Sequence, residues 1–292
     1  MIKNKMKKII ILGASGLVGR YLFDYLKKSG KEVVGTYNKN EKAGLFYFDI
    51  TDSPIETLPI KDADYVIICS GIVKIDECKK DIDNSEKVNV IAIKRVIKEF
   101  SKKDIIPVFI SGAIVFDGVG DYKEEDIRNP ANEYGKQKKE IEDYLMDNYK
   151  NYLIIRLGKV FGFKDKESDF ATWINKYNNG EEIPCIYDED LSLTSAEDIA
   201  KGITILLEKN KRGIFHIDSG VHKSRFEFAI DFFNFLKLKD AKIIRKSVKD
   251  FNFLEKRAKN QFLDSSKFIK ETNFKFTPLE NSYTMIQDSF KI

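Results

Sequence analysis

Short apolar runs alternate with helix-length amphipathic segments along the first 160 residues of this 292-residue chain. The apolar runs predict strands at residues 8–12, 32–37, 44–48, 65–70, 106–111 and 152–156. The longest intervening segments predict helices at residues 17–28, 83–100 and 132–148. This alternation is typical of βαβ units, in which helices cover both faces of a parallel sheet. The sequence therefore predicts an α/β fold with a doubly wound parallel sheet.

Three glycines with the spacing GxxGxxG follow the first predicted strand and open the first predicted helix. Glycines there permit a tight turn and a close approach of backbone N–H groups to a pyrophosphate, while the helix N-terminus attracts the anion. This context predicts a Rossmann-type dinucleotide-binding site. The residues that we assign to the dinucleotide from this loop are Gly13, Ser15, Gly16, Leu17, Val18 and Gly19.

The end of the second predicted strand bears on the choice between NADPH and NADH. An acidic residue at that point bonds the adenosine ribose hydroxyls, whereas a basic residue receives a 2′-phosphate. The chain has Asn38 and Lys39 there and no acid, which favours NADPH with these two residues as contacts. NADH remains an alternative, in which case Lys39 is an ordinary surface lysine.

Tyr134 and Lys138 stand four residues apart near the start of a predicted helix, so their side chains lie on one face. A neighbouring ammonium favours the phenolate, and we therefore expect Lys138 to lower the pKa of Tyr134. Such a tyrosine can give or take the proton of a carbonyl or an alcohol during hydride transfer. The same spacing also occurs on helices whose charged face is merely solvated.

The glycine loop and this YxxxK pair together resemble the extended short-chain dehydrogenase/reductase family. Residues 132–136, NEYGK, are similar to the NxYGK segment of the dTDP-4-dehydrorhamnose reductases, and similar segments recur at 87–89, 110–118, 156–162, 194–200 and 263–267. The resemblance implies an NAD(P)H-dependent reductase of a nucleotide-linked 4-keto-6-deoxy sugar. It implies that Tyr134 gives the proton, and that Lys138 supports Tyr134 and bonds the nicotinamide ribose.

The resemblance also implies cofactor contacts after the third and fourth predicted strands. Asp49 and Ile50 correspond to a turn that contacts adenine, although an aspartate at the end of a strand is equally suited to a turn. Cys69, Ser70 and Gly71 replace a run of small residues that lets the nicotinamide ribose approach the backbone.

One position departs from the family. Gly112 stands where the reductases carry a serine or threonine whose hydroxyl polarises the substrate carbonyl. Ser111 is the candidate replacement and the third predicted catalytic residue. Because adjacent strand residues point to opposite faces, Ser111 serves this role only if the strand is locally shifted.

Three further polar residues are expected to be structural. The resemblance implies that Asn89 holds the active-site strand and helix together, and Arg156 at a strand end suits an ion pair. Asp198 is expected to cap or brace a helix predicted at residues 196–207.

Beyond residue 160 the alternation weakens and longer loops appear, which predicts a smaller C-terminal substrate-binding lobe. We expect residues 1–160 plus 193–216 to form the dinucleotide-binding domain, and residues 161–192 plus 217–292 to form the lobe. Met6 is expected to be the natural start, because residues 1–5 add little to the pattern.

Composition restricts the environment and the partners of the chain. No apolar run approaches the length of a membrane span, so we expect no membrane association. Three cysteines without metal-ligand spacing and only two histidines give no support for a metal site and indicate a reducing, cytoplasmic setting. The net charge of +4 is interleaved along helices and does not imply nucleic acid. The partner expected is a nucleotide-sugar substrate, and a homodimer is compatible with the sequence.

Two other functions compete with the reductase. A nucleotide-sugar epimerase or dehydratase would recycle a bound NAD, but elimination needs an additional acid and base. A non-catalytic dinucleotide-binding subunit that regulates a partner enzyme is consistent with Gly112 and is opposed by the retention of Tyr134 and Lys138.

Overall fold

A computed structural model describes residues 8–118, 120–163 and 168–291, so the expected start at Met6 lies outside the described residues. The strands are β1 Lys8–Leu12, β2 Glu32–Tyr37, β3 Phe46–Tyr47, β4 Ala63–Ile68, β5 Ile106–Gly112, β6 Leu153–Leu157, β7 Lys159–Phe161, β8 Ile183–Ile186, β9 Asp190–Ser195, β10 Gly213–Ile217, β11 His222–Ser224, β12 Ile243–Lys246 and β13 Asn260–Gln261.

The helices follow the same chain order. They are α1 Leu17–Lys28, α2 Ile75–Lys80, α3 Ile82–Glu86, α4 Ile93–Ser101, α5 Glu133–Asn148, α6 Asp169–Asn178, α7 Ala196–Glu208, α8 Arg225–Phe235, α9 Ser266–Thr272 and α10 Leu279–Phe290. A π-helical segment, Lys87–Ala92, joins α3 to α4. No helix in the described ranges is long and apolar enough to cross a membrane.

The main sheet contains seven parallel strands in the order β10-β6-β5-β4-β1-β2-β3. Helices α1 and α7 cover one face through residues such as Leu22 and Ile203, and α4 and α5 cover the other through Ile97 and Ile141. Burial on both faces explains why the strands are continuously apolar rather than alternating. The predicted doubly wound Rossmann fold is confirmed, and its strand order reverses beside β1, where such sheets bind ligands.

A second group of elements forms a smaller lobe. Strands β7, β9, β11 and β13 form one small sheet, and β8 pairs with β12 in another. Aromatic rings fill the core beside them, with Phe170 at the centre of edge-to-face contacts to Trp173, Phe232 and Tyr283. Residues 266–276, which the predicted domain division assigns to the lobe, contribute Phe268 and Phe274 to the core of the main sheet.

Most predicted elements differ from the structure only at their ends. The main exception is the third strand, predicted at residues 44–48, which forms only Phe46–Tyr47. Both of its side chains are exposed at the sheet edge, whereas the flanking Leu45 and Phe48 pack against the core outside the ladder. The helix predicted at 83–100 forms as α3, the π-helical segment and α4 in succession.

Asp198 and Arg156, which were expected to be structural, each link two parts of the fold. Asp198 does so as a brace rather than as a helix cap. Ser195 caps α7, whereas the carboxylate of Asp198 accepts hydrogen bonds from the backbone and the hydroxyl of Thr277, both at 2.8 Å. Arg156 of β6 is fully buried and makes a bidentate ion pair with Glu142 of α5, at 3.0 and 2.7 Å. This pair ties the fifth helix to the sheet.

Replacing Glu142 by glutamine should lower the free energy of unfolding by about 3–5 kcal/mol, because it leaves the buried Arg156 guanidinium without a counter-charge. The measurement is urea-induced unfolding. Asp143→Asn is the matched control, because Asp143 makes half-exposed ion pairs on the same helix and should cost about 1 kcal/mol or less. Equal small losses of unfolding free energy in the two variants would contradict the structural role of the Arg156–Glu142 ion pair.

Candidate active site

A cleft of about 1110 Å³ lies at the carboxyl ends of the central strands, between the main sheet and the lobe. The segments that follow β1, β4 and β6, together with the end of β5, form one wall. Residues of α6, β8, α8 and the segment 251–261 form the other. The cleft therefore lies where the strand order reverses, which is the position expected for a dinucleotide and its substrate.

The glycine loop presents the open N-terminus of α1 to this cleft. Gly16 to Gly19 line the wall, and no side chain among the described residues caps the helix, so its first backbone N–H groups remain available to an anion. Gly13 has φ +84°, and a Cβ at Gly19 would lie 2.3 Å from the Gly13 carbonyl oxygen. The third glycine is therefore required for the helix to pack against the loop.

Tyr134 and Lys138 both lie at the cleft wall, on the first turns of α5. The Lys138 Nζ atom donates a hydrogen bond to the carbonyl oxygen of Ile110 at 2.8 Å. It also lies 4.5 Å from the centre of the Phe109 ring and 5.6 Å from that of Tyr134. The predicted pair is thus brought together beside the end of β5.

The protonation of this pair differs from the expectation. Burial raises the pKa of Tyr134, and the nearby Cys78 adds to the effect. Burial also lowers the pKa of Lys138 to about 8, against smaller opposing contributions from Cys69 and Glu142. The expected lowering of the tyrosine pKa is absent because burial raises this pKa, and the Lys138 ammonium donates its hydrogen bond to Ile110. Tyr134 is therefore a neutral phenol at neutral pH, the form that donates a proton.

Ser111 and Gly112 both line the cleft at the end of β5. The strand stays regular, with Ser111 paired to Arg156 and Gly112 to Leu157. By alternation Ser111 shares the face of Phe109, whose ring contacts Lys138. The Ser111 hydroxyl is buried and finds no hydrogen-bond partner among the described residues.

The small residues after β4 divide between the cleft and the glycine loop. Cys69 and Gly71 line the cleft, whereas Ser70 packs behind it, since a Cβ at Gly13 would lie 2.8 Å from the Ser70 backbone nitrogen and hydroxyl. Gly71 has φ +154°, and a Cβ there would lie 2.9 Å from Asn89 Oδ1. Asn89 thus packs directly behind the proposed nicotinamide wall.

The residues expected around the adenosine lie beyond the cleft wall. Asn38 and Lys39 are exposed, and Ile50 is buried. The carboxylate of Asp49 accepts hydrogen bonds from the Thr51 backbone and hydroxyl at 2.8 and 2.7 Å. Although burial opposes ionisation, these bonds and one from Asn38 lower the pKa of Asp49. The Asp49 side chain therefore closes a turn, as its position after a strand also allowed.

Sequence reasoning missed a basic residue near the glycine loop. Lys42 is half-buried, and its Nζ atom donates to the carbonyl oxygen of Ser15 at 3.4 Å. The loop that follows β2 turns back and brings this lysine to the dinucleotide loop, whereas Lys39 stays exposed. The sequence shows Lys42 three residues after Lys39, but no sequence pattern indicates which of the two lysines lies near the dinucleotide loop.

The substrate half of the cleft carries charged residues that sequence analysis did not select. Asp169 lies 3.8 Å from Lys159 and 3.5 Å from Arg225, which also contacts the buried Glu189 at 3.4 Å. Burial raises the pKa of Glu189. The cationic side chains outnumber the acidic ones along the whole lining; the cationic ones are Lys74, Lys138, Lys159, Lys176, Arg225 and Arg257.

Arg257 is placed by contacts that cross the mouth of the cleft. Its guanidinium lies 4.3 Å from the Phe253 ring centre, and one terminal nitrogen contacts Asp76 of α2 at 2.9 Å. The other terminal nitrogen has no hydrogen-bond partner in the described part of the chain. A cation in this setting can accept a further anionic partner.

Comparison with known proteins agrees with this arrangement. The family model "RmlD substrate binding domain" matches residues 6–291. The probable low-salt glycan biosynthesis reductase Agl14 of Haloferax volcanii is 30% identical over 72% of this chain and 73% of its own length. The crystal structure of a dTDP-4-dehydrorhamnose reductase from Clostridium acetobutylicum has a TM-score of 0.86 and 26% identity, covering 98% of this chain and 100% of that one.

The chain is also similar to a protein whose name describes a subunit of another enzyme rather than a reductase. The methionine adenosyltransferase 2 subunit beta of Danio rerio is 24% identical over 97% of this chain and 90% of its own length. The family match over nearly the whole chain, together with the glycine loop and the Tyr134 and Lys138 pair at one cleft, decides the classification. The chain belongs to the RmlD substrate binding domain family and is an NAD(P)-dependent oxidoreductase of the extended short-chain dehydrogenase type.

Proposed function

We propose that this protein reduces the keto group of a nucleotide-linked 4-keto-6-deoxy sugar, with NADPH as the preferred cofactor and NADH as an alternative. The observation that carries the proposal is the position of Tyr134 and Lys138. Both line one cleft that has the open N-terminus of α1 in its sheet-side wall, and cations outnumber carboxylates along its whole lining.

NADPH, when bound, would supply the hydride that reduces the keto carbon. The uncapped N–H groups at Gly16 to Gly19 suit its pyrophosphate, and Cys69 and Gly71 leave room for its nicotinamide ribose. The ammonium of Lys138, fixed to the Ile110 carbonyl, is the proposed ligand of that ribose. Tyr134, kept neutral by burial, gives its phenolic proton to the oxygen of the reduced carbonyl.

Ser111 is the proposed hydroxyl partner of the substrate oxygen. Its Oγ is buried beside the cleft and has an unused hydrogen-bonding capacity within the described residues. An unpaired buried hydroxyl costs free energy, and a substrate oxygen reached by a small shift of the strand end would satisfy it. The proposal places this group one residue before the position that the family uses.

The lining of the substrate half supports an anionic, sugar-bearing ligand. Cations outnumber carboxylates along the cleft, which suits the diphosphate of a nucleotide sugar. Arg257 is the residue that we propose to bind the diphosphate, because its guanidinium has a terminal nitrogen without a partner among the described residues. The paired carboxylates Asp169 and Glu189 offer acceptors for sugar hydroxyls.

A regulatory subunit is the second candidate. Gly112 and the similarity to a methionine adenosyltransferase subunit favour it. The partly buried and hydrogen-bonded Lys138 beside Tyr134 favours the enzyme, because a binding subunit has no need of a buried cation with a lowered pKa. The three free cysteines support the further proposal that the protein works in the reducing cytoplasm.

Tyr134→Phe should lower kcat by about 10²–10⁴-fold, because the variant keeps the ring but loses the proton donor. The measurement is NADPH oxidation with a panel of nucleotide-linked 4-keto sugars. NADPH affinity should stay within about threefold of wild type, since a hydroxyl that acts on the substrate contributes little to cofactor binding.

The same assay tests the choice of function and the role of Ser111. Wild-type protein that binds NADPH but reduces no sugar of the panel would contradict the reductase and favour the subunit. Ser111→Ala with unchanged kcat would remove Ser111 from the mechanism while leaving the role of Tyr134 intact.

Lys42→Met should weaken NADPH binding by about tenfold and leave NADH binding unchanged, because one charge contact to a 2′-phosphate is worth about 1.4 kcal/mol. The measurement is the dissociation constant of each cofactor by calorimetry. Lys39→Met is the matched control, because Lys39 is exposed and should have little effect. The opposite ranking of the two lysines would restore the assignment made from the sequence.

NADPH affinity should fall as the pH rises through about 8. Burial lowers the pKa of Lys138 to about 8, so the ammonium that bonds the ribose is lost above that pH and is complete well below it. The dissociation constant should therefore rise by up to about tenfold per pH unit on the alkaline side. Lys138→Met should bind weakly with no such dependence, and a wild-type constant that stays flat from about pH 7 to 9 would contradict the role.

A further inference from the structure

Gln137 lies on the buried side of α5, three residues after Tyr134 and on the same face as that tyrosine, and it precedes Lys138 in sequence. Its Oε1 accepts a hydrogen bond from Asn89 Nδ2 at 2.8 Å, and its Nε2 donates to the Ser85 hydroxyl at 2.7 Å. Gln137, Asn89 and Ser85 are all buried, so each of these bonds replaces water that cannot reach them.

Asn89 connects these hydrogen bonds to the wall of the cleft. Asn89 Oδ1 accepts from the Ile72 backbone nitrogen at 2.8 Å, and Nδ2 donates to the Ile72 carbonyl at 2.9 Å. The backbone of Ile72 therefore fixes which way the Asn89 amide points, and leaves one N–H for Gln137. Ile72 follows Gly71, which lines the cleft.

The backbone of the connecting helix is adapted to this arrangement. Asn89 lies in the π-helical segment Lys87–Ala92 between α3 and α4. Single π-helical turns are rare and are frequent at functional sites, because they redirect one side chain out of the regular spacing. Here the redirected region supplies the residue that reaches both Ile72 and Gln137.

We infer that Gln137 is a positioning residue that sets the distance between the Tyr134–Lys138 pair and the Gly71–Ile72 wall. The inference rests on the proposed function and names a residue that the reaction needs without touching substrate. Gly135 and Glu142 also hold α5 against neighbouring elements, so the helix stays folded without Gln137. Its bonds to Asn89 and Ser85 instead restrict small rotations of the helix, to which reacting groups are sensitive.

The test is Gln137→Met, which keeps the length of the side chain and removes both hydrogen bonds. We expect kcat to fall by at least about tenfold, the KM for the keto sugar to change by less than about threefold, and NADPH to bind several-fold more weakly. Lys139→Met is the matched control, because Lys139 lies on the same helix, pairs only with Asp143 in the described contacts and should leave all three constants unchanged.

Gln137→Glu is the conservative variant that separates positioning from general packing. Its carboxyl group still accepts from Asn89, and the Ser85 hydroxyl, which now donates to the carbonyl oxygens of Cys78 and Ile82, can turn to donate to the other oxygen. We expect it to recover most of the kcat that Gln137→Met loses. If Gln137→Met does not fold, Gln137→Glu and Ser85→Ala carry the test, and Ser85→Ala should lower kcat in the same direction.

Two results would overturn the inference. One is Gln137→Met with kcat and NADPH affinity both within about twofold of wild type; the other is Gln137→Glu as impaired as Gln137→Met. Wild-type protein that reduces no keto sugar would instead contradict the proposed function. In that case the NADPH dissociation constants of the same variants decide the role of Gln137 without any turnover.

Discussion

The close approach of α5 to the end of β5 is the constraint on which the site depends. A Cβ at Gly135 would lie 2.3 Å from the carbonyl oxygen of Ile114, so the helix reaches its place only because residue 135 has no side chain. Further contacts hold α5 at successive turns, from the Lys138 ammonium to the Glu142 carboxylate. A helix fixed in this way presents Tyr134 to the cleft without a loop to position it.

Burial determines how the pair at this site is charged. It keeps Tyr134 protonated by raising its pKa, and it lowers the pKa of Lys138 to about 8. A neutral phenol can give its proton to the oxygen of a carbonyl that is being reduced. Asp169 of the opposite wall orients Arg225 of that wall and Lys159, which lies after β6. The two walls thus suit different parts of one anionic substrate.

Gly112 affects how closely β5, whose end lies in the sheet-side wall of the cleft, packs against β6. It pairs with Leu157 of β6, and a Cβ at Gly112 would lie 3.2 Å from the Leu157 carbonyl oxygen. That distance is tight, so the serine or threonine that the family resemblance implies at this position would require β6 to move by a few tenths of an ångström. Gly112 is therefore part of the packing of β5 on β6, and the hydroxyl of the adjacent Ser111 is buried with no hydrogen-bond partner among the described residues.

Apart from the edge strand β10, which no sequence pattern predicted, the sequence by itself determined the main sheet, the glycine loop and the positions of Tyr134 and Lys138. Each is encoded by neighbours a few residues apart, whose spacing decides which side chains share a face or a turn. The tertiary structure alone decided that Lys42 reaches the Ser15 carbonyl, that Arg257 meets Asp76 and that Gln137 meets Asn89. Those partners lie 27, 181 and 48 residues apart, and their contacts depend on how helices and loops pack on the sheet, which no local pattern records.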